Sequence, residues 1–266
     1  MPVDPGLRRL DIDLPAQPGA LARLSHLLAA DAVDLAAASA LIETDMALAA
    51  AVLRAVNSSL YGLQGRVRSV LQAAQFLGLR EIAAITYEMA LRAVFPPEPV
   101  LAPVWDRAAR RGLLMGRLAQ RLGVDGWIAH SAGLFMECGK AVLVKHAPGR
   151  YPAMLGAARS DPELAALERN AFGVSHEVLG AALVDTWGLA PAAVVAVRSQ
   201  LALRAGAPLS AELAVARVQA LAMLAHAVMA GEDAAAAVER VAEAALLDAA
   251  LAIRAVDAVR GSLGDG

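Results

Sequence analysis

The spacing of the apolar residues constrains the fold of this chain more than any other feature. They recur at intervals of three and four from about Leu21 to the C-terminus. This spacing places apolar side chains on one face of an α-helix, whereas a half-buried strand needs them at every second residue. No convincing segment with the second pattern occurs. Ala and Leu, the strongest helix formers, contribute to a hydrophobic content of 58%, while aromatic residues make up only 4%. The sequence therefore predicts an all-α fold.

Capping signals predict where many of these helices begin and end. Ser and Asp side chains can accept a hydrogen bond from the free N–H groups of a first helical turn. The predicted N-caps are Asp45, Ser69, Asp125, Ser160, Ser175 and Ser210. Glycine, which ends a helix readily in the left-handed conformation, follows an apolar run at five positions. These positions are Gly78, Gly123, Gly173, Gly188 and Gly231.

The segment from Phe95 to Pro99 contains three prolines and is the strongest helix-breaking segment of the chain. Consecutive prolines cannot continue a helix and favour an extended connection. We therefore place a boundary there, between an N-terminal helical lobe at residues 14–95 and a C-terminal helical lobe at residues 100–260. A length of 266 residues is enough for a substantial core.

The charge balance argues against a nucleic-acid partner and against attachment to an anionic membrane. The net charge is −2, with 24 basic and 26 acidic residues, so no global field would attract the chain to either. The longest stretch without a charged residue, 218–231, has 14 residues and is shorter than a membrane span. Because the N-terminus also lacks the pattern of a signal peptide, we expect a cytoplasmic protein. Cys138 is the single cysteine, which excludes an internal disulfide.

Two consecutive segments form the most distinctive pattern of the chain. The first, 41–62, reads as a capped helix followed by a sharp exit, in which Asn57 tolerates the left-handed conformation of a helix end. The second, 69–80, reads as a helix that starts at Ser69 and stops at Gly78. The residues that form the pattern are Asp45-Met46-Ala47-Leu48-Ala49, then Asn57-Ser58-Ser59-Leu60-Tyr61-Gly62, then Leu77-Gly78. In this order they closely resemble the HDOD family, a non-enzymatic offshoot of the HD metal-dependent phosphohydrolases found in bacterial signalling proteins. The resemblance extends from about Leu14 to about Ala230.

The exit after the first of these helices has two interpretations. Turn chemistry alone explains a helix–turn–helix corner that binds nothing. Alternatively, the corner is a surface that meets a partner, with two arginines as a small basic rim. The candidate contacts are Asn57, Ser58, Tyr61, Gly62, Arg66 and Arg68.

The resemblance also implies where a metal centre would lie. In HD enzymes the helix corresponding to residues 133–143 carries adjacent His and Asp ligands, but this chain has Met136 and Glu137. A thioether is a soft, weak ligand, and one carboxylate does not hold a catalytic ion. A pair of histidines further along the family pattern corresponds to Ser199 and Gln200, and a final Asp ligand to His226. The resemblance therefore implies a fold with a degenerate HD site, no catalytic residue, no metal and no cofactor.

Other candidates near this site carry weaker signals. His130 lies seven residues before Glu137, which on one continuous helix would put the two about 10 Å apart on a shared face. Lys140 is a further candidate contact, and Cys138 is expected within the helix. Ser175, His176 and Glu177 are consecutive, and neighbours on a helix point in different directions, so they are not expected to form a triad.

Three functions remain open at this point. The first is a signalling domain without enzymatic activity that binds a protein partner, either another protein or a second copy of the chain. The second is a sensor that binds a nucleotide or cyclic dinucleotide in the former metal cleft. Its anion-binding candidates, which also fit an ordinary solvated face, are Arg107, Arg110, Arg111 and Arg117. The third is a residual metal-dependent phosphohydrolase that uses Glu137 and His130.

Overall fold

A computed structural model of the chain describes residues 12–28, 34–58, 61, 63 and 65–264. These residues contain fifteen α-helices, one short 3-10 helix and no strand, which confirms the all-α prediction. The chain divides into two compact units. The N-terminal unit contains Ala16–Val94, and the C-terminal unit contains Phe95–Arg260 together with residues 12–15.

The N-terminal unit is built around one long helix. Its helices are α1 (Gly19–Leu28), α2 (Leu35–Glu43), α3 (Met46–Val56), α4 (Val70–Leu77) and α5 (Leu79–Ala93). Helix α5 contacts the other four, and its Ile82, Ile85 and Leu91 are fully buried. The hydroxyl of buried Tyr87 donates to the carbonyl oxygen of Leu21 at 3.2 Å, which fixes α1 against α5.

The C-terminal unit contains the remaining helices. They are a 3-10 helix (Pro99–Leu101), α6 (Ala102–Leu122), α7 (Gly126–Phe135), α8 (Cys138–His146), α9 (Tyr151–Ala157), α10 (Asp161–Phe172), α11 (His176–Thr186), α12 (Pro191–Arg204), α13 (Leu213–Ala230), α14 (Ala234–Glu239) and α15 (Ala249–Gly264). Helix α7 packs most extensively against α6, and α11 packs against both α8 and α12. Helix α13 covers α6, α7 and α12, so these helices share one core.

Most of the capping predictions are confirmed. Four predicted N-cap side chains accept hydrogen bonds from first-turn N–H groups: Asp45, Ser69, Asp125 and Ser160. All five predicted glycine stops have a positive φ, between +66° and +84°. The prediction for Ser210 is wrong, because α13 begins at Leu213 and the Ser210 N–H donates instead to Gln219 Oε1 at 2.7 Å. Ser175 stands at the N-cap of α11, but its hydroxyl donates to Glu177 Oε1.

One helix of the described residues is long and apolar enough to cross a membrane. This is α13, with a mean hydropathy of 1.6, and 56% of its residues are buried inside the protein. Helices α2 and α3 pass the same test only as a pair, and they are bent by 116° at the break between them. The core helix of a folded protein also passes this test, so the finding is weak support for a membrane span.

Glycine allows backbones to touch at two helix crossings of the C-terminal unit. A Cβ atom on Gly139 of α8 would lie 1.8 Å from the carbonyl oxygen of His176 in α11. A Cβ atom on Gly133 of α7 would lie 2.9 Å from the backbone nitrogen of Gly112 in α6. Because backbone atoms cannot move aside as side chains can, these helices can approach so closely only at glycine.

We expect Gly139→Ala to lower the free energy of unfolding by about 3 kcal/mol or more, because the added methyl group forces α8 and α11 apart. Gly261→Ala, at an exposed position of α15, is a matched control, since a Cβ there meets nothing within 4 Å. The control should leave stability unchanged or raise it by about 0.5–1 kcal/mol. Urea unfolding followed by circular dichroism measures both effects. Equal stability of the two variants would contradict this packing.

Candidate functional site

The segment predicted as one helix at residues 133–143 is interrupted in its middle. Helix α7 ends at Phe135, α8 begins at Cys138, and Met136 and Glu137 form the turn between them. The predicted placement of His130 and Glu137 on one helix, with Cys138 inside it, is therefore wrong. The Met136 carbonyl accepts a hydrogen bond at 2.9 Å from the side-chain amide of Gln200, which holds the turn against α12.

Glu137 is the central acidic residue of this turn. Its side chain is 1% exposed, and three basic groups surround it. Lys140 Nζ lies 2.7 Å and Arg107 Nε 3.4 Å from Glu137 Oε2, and Arg111 lies 3.2 Å from Oε1. Burial by itself would raise the pKa of this carboxyl group, but Lys140 and Arg111 outweigh it and hold the pKa at about 2. The group is therefore a carboxylate at neutral pH.

The guanidinium of Arg111 lies among the residues that the sequence predicted to be degenerate ligand positions. One terminal nitrogen of its guanidinium lies 3.1 Å from Gln200 Oε1 and 3.7 Å from Met136 Sδ, and the other pairs with Glu137. His226 lines the same small pocket. Four of the five positions predicted to be degenerate, Met136, Glu137, Gln200 and His226, therefore lie around the guanidinium of Arg111. This set of groups does not fit a divalent metal, because a cation with no lone pair lies among them.

The fifth degenerate position, Ser199, points elsewhere. Its hydroxyl donates to the carbonyl oxygen of Val195 at 2.8 Å and accepts from Gln219 Nε2 at 2.8 Å. Gln200, the next residue, faces Arg111 because consecutive residues on a helix diverge by about 100°. Only one member of the predicted pair therefore belongs to the site.

A second carboxylate, Asp161, extends the ion network. Lys140 Nζ lies 2.8 Å from Asp161 Oδ1, and both terminal nitrogens of Arg204 lie 3.0 Å from Oδ2. Burial acts to raise the pKa of Asp161, but Lys140 and Arg204 lower it well below its usual range. Lys140 on α8, at 1% exposure, thus links Glu137 in the turn before α8 to the first residue of α10.

The network lines an open cleft of about 680 Å³ within the C-terminal unit. Its basic lining residues are Arg107, Arg111, Lys140, Arg159 and Arg204. Of the four arginines predicted on α6, Arg107 and Arg111 line this cleft, whereas Arg110 is exposed and Arg117 is half-buried elsewhere on the helix. Apolar residues of the 3-10 helix, α6, α9 and α13 form the other walls.

A second buried polar cluster lies between α10 and α11. Glu168 Oε2 accepts from both the backbone N–H and Nδ1 of His176 at 2.7 Å, and its other oxygen accepts from the hydroxyl of Tyr151. Potential metal-ligand atoms of Glu168, His176 and Glu177 all lie within 4.8 Å of one another. Both oxygens of Glu168 accept hydrogen bonds, so this cluster ties α9, α10 and α11 together.

The predicted corner of the N-terminal unit is held by one side chain. Asn57 Nδ2 donates to the carbonyl oxygens of Leu53 and Val67 at 2.9 Å, and Asn57 Oδ1 accepts from the Val67 N–H at 3.3 Å. Its φ is −84°, so the predicted left-handed conformation is wrong; Gly65, at +71°, adopts it instead. The side-chain hydrogen bonds replace the backbone turn that the left-handed residue would make.

The other corner candidates differ in exposure. Tyr61 is half-buried, and Gly62 lies outside the described residues. Three more are exposed: Ser58, Arg66 and Arg68. Asn57 therefore builds the corner, while these exposed side chains form its surface.

His130 lies on α7 against the glycines of α6, away from the ion pairs of Glu137. It is 3% exposed, and its Nε2 has no hydrogen-bond partner among the described residues. A Cβ atom on Gly112 would lie 3.1 Å from this nitrogen, which shows how closely the ring packs. Burial lowers the pKa of His130 to about 4.

The protonation of His130 predicts a loss of stability in acid. The unfolded chain gains this proton near pH 6.5 and the folded chain only near pH 4, so stability is lost as the pH falls through this window. The loss should reach about 3 kcal/mol. His130→Leu removes this titrating group. The difference in unfolding free energy between wild type and variant, measured by urea titration, should therefore change by that amount from the upper to the lower end of this pH window. Parallel curves for the two proteins would contradict it.

Comparison with known proteins identifies the family. The sequence pattern of the HDOD domain family matches residues 14–203, so this chain belongs to the HDOD domain family. An uncharacterised protein of Treponema pallidum (strain Nichols) is 29% identical over 199 residues. That match covers 71% of this chain, but only 38% of the length of the relative.

Solved structures confirm the fold. An HDOD domain protein of Geobacter sulfurreducens is 20% identical, with a TM-score of 0.64, over 84% of this chain and 76% of its own. A protein of Shewanella amazonensis SB2B, provisionally named a phosphohydrolase, is 21% identical, with a TM-score of 0.71. The match covers 96% of this chain and 94% of the Shewanella protein. A protein of Marinobacter aquaeolei VT8, provisionally named a signal transduction protein, is 21% identical, with a TM-score of 0.69. The match covers 95% of this chain but 60% of the Marinobacter protein. All three share the multi-helix architecture.

Sequence reasoning found some members of the site and missed others. Lys140 follows Glu137 by three residues, a spacing that favours an ion pair on one helical turn. Arg111, Asp161 and Arg204 lie 20 or more residues away from Glu137, and no local signal connects them to it. Glu168 was missed although it is only eight residues from His176, because the contact depends on how the end of α10 turns into the start of α11.

Proposed function

We propose that this chain is a signalling domain without enzymatic activity, in which the guanidinium of Arg111 has replaced the metal ion of HD phosphohydrolases. The observation that carries the proposal is the set of contacts from Arg111 to Met136, Glu137 and Gln200. A catalytic metal ion activates water by lowering its pKa. A guanidinium cannot coordinate water and stays protonated at all accessible pH values. The ion pairs at Glu137 therefore stabilise the fold and do not activate water.

Membership of the HDOD family supports the signalling part of the proposal. In this function the chain acts through a binding partner. The provisional name of the Marinobacter relative, a signal transduction protein, agrees with this function.

Two exposed large apolar side chains of the N-terminal unit, which we call the apolar patch, support the placement of a protein partner on this unit. Met46 at the start of α3 is 85% exposed, and Phe76 near the end of α4 is 64% exposed. Large apolar side chains with this exposure often mark interaction sites. We place the partner there, and a second copy of the chain is the alternative occupant.

Metal analysis tests the loss of the metal site. Protein purified without chelator should contain no stoichiometric Mn, Fe or Zn, and it should not hydrolyse phosphomonoesters or phosphodiesters when these metals are added. Stoichiometric metal together with turnover would contradict the proposal. Glu177→Gln is the control, because metal held by Glu168, His176 and Glu177 would be lost in this variant, whereas metal held at Glu137 would remain.

Introduction of a negative charge at Met46 or Phe76 tests partner binding. Met46→Glu and Phe76→Glu should each deplete, by about tenfold or more, the proteins that the wild-type chain enriches from its own cells, because a charge opposes burial of the patch. Leu246→Glu is the matched control, since Leu246 is 68% exposed on the C-terminal unit. Quantitative mass spectrometry of the captured proteins measures the change. Unchanged enrichment by both patch variants would contradict the placement, and analytical ultracentrifugation of the three variants tests self-association.

A further inference from the structure

The cleft of the C-terminal unit carries more positive than negative charge. Five basic side chains line it, and three carboxylates either line it or pair with residues that do. The basic residues are Arg107, Arg111, Lys140, Arg159 and Arg204, and the acidic residues are Glu137, Asp161 and Glu163. Two positive charges therefore have no matching carboxylate, which makes the cleft attractive to an anion.

Two of these basic groups also have hydrogen-bond donors to spare. Arg107 contacts Glu137 only through Nε, and its side chain is 42% exposed, so both terminal amino groups lack a protein partner among the described residues. Lys140 has three N–H donors but only two partners, Glu137 and Asp161. Charge-assisted donors of this kind bind phosphate oxygens well.

Two further features support an anion in the cleft. The N-terminus of the twelve-residue helix α10 reaches it through Ser160 and Asp161, and a helix N-terminus carries partial positive charge. His226 also lines the cleft, and its pKa is lowered, first by burial and then by Arg204 and Arg111, while Glu232 and Asp161 act in the opposite direction. The two arginines thus contribute positive potential at this part of the cleft lining.

The remaining walls of the cleft are apolar and fit the uncharged part of a ligand. Val100, Pro103, Val104, Leu155 and Met229 line this part of the cleft. A volume of about 680 Å³ lies within the range of about 300–1,000 Å³ for small-ligand sites. An inorganic anion alone would leave these apolar walls uncovered.

We propose that this cleft binds a small organic phosphate, with the phosphate at Arg107 and Lys140 and an apolar or aromatic body, such as a nucleobase, against Val104 and Met229. The inference rests on the part of the proposed function that puts Arg111, not a metal ion, beside Glu137. It adds a ligand class to that function, so that occupancy of the cleft would be the signal that the domain reports.

Isothermal titration calorimetry on the full chain, in buffer with EDTA, tests this inference. The probes are a panel of mononucleotides and cyclic dinucleotides, and inorganic pyrophosphate. At least one nucleotide should bind one to one, about tenfold or more tightly than pyrophosphate, because its base covers the apolar walls. Arg107→Gln should weaken this binding by about tenfold, since it removes the charged donors. Arg110→Gln, an exposed change on the same helix outside the cleft, should leave the affinity within about twofold.

Several outcomes would overturn the inference. They are the absence of saturable nucleotide binding, equal affinity for pyrophosphate and nucleotides, and equal losses in the Arg107 and Arg110 variants. The proposed function fails in a different way, through stoichiometric metal and phosphoester turnover when EDTA is omitted. A chain that binds no nucleotide and holds no metal would therefore contradict only the ligand inference.

Discussion

The carboxylate of Glu137 is almost completely buried, and the C-terminal unit is organised around the need to neutralise it. Removing an unpaired carboxylate from water costs several kcal/mol, so opposite charges must lie beside it. Lys140 comes from the same helical turn, while Arg111 and Arg107 come from α6. Since Lys140 is itself buried, it needs the second carboxylate of Asp161, which Arg204 then pairs. One buried charge thus connects α6, α8, α10 and α12.

The same ion pairs are the physical basis of the function proposed for this chain. A divalent ion and a guanidinium both neutralise carboxylates, but only the ion has open coordination positions for water or substrate. In the proposed function, Arg111 among Met136, Glu137 and Gln200 neutralises the carboxylate but supplies no Lewis acid. The cleft beside these residues is open, which supports the proposed binding role.

Close contacts between helices keep this arrangement rigid. Gly139 lets α8 touch α11, and Gly133 lets α7 touch α6, so the turn at Met136 and Glu137 is held from both sides. The hydrogen bonds from Glu168 to His176 and Tyr151 hold the next layer of helices. The positions of the charged side chains therefore follow from backbone packing as well as from their own ion pairs.

The sequence by itself determined the features that depend on short-range interactions. Apolar spacing predicted the helices, the side chains of Asp45 and Ser69 predicted helix starts, and the resemblance predicted the family and the degenerate positions. Each of these signals lies within a few residues, because a cap or a helical face involves only adjacent turns. Only the tertiary structure decided that Arg111 would lie beside Met136 and Gln200. Arg111 is 25 positions from Met136 and 89 from Gln200 in the sequence, so no short-range interaction joins them. It also decided the break between α7 and α8, where a hydrogen bond from α12 and the charges around Glu137 outweigh the helical pattern of the segment.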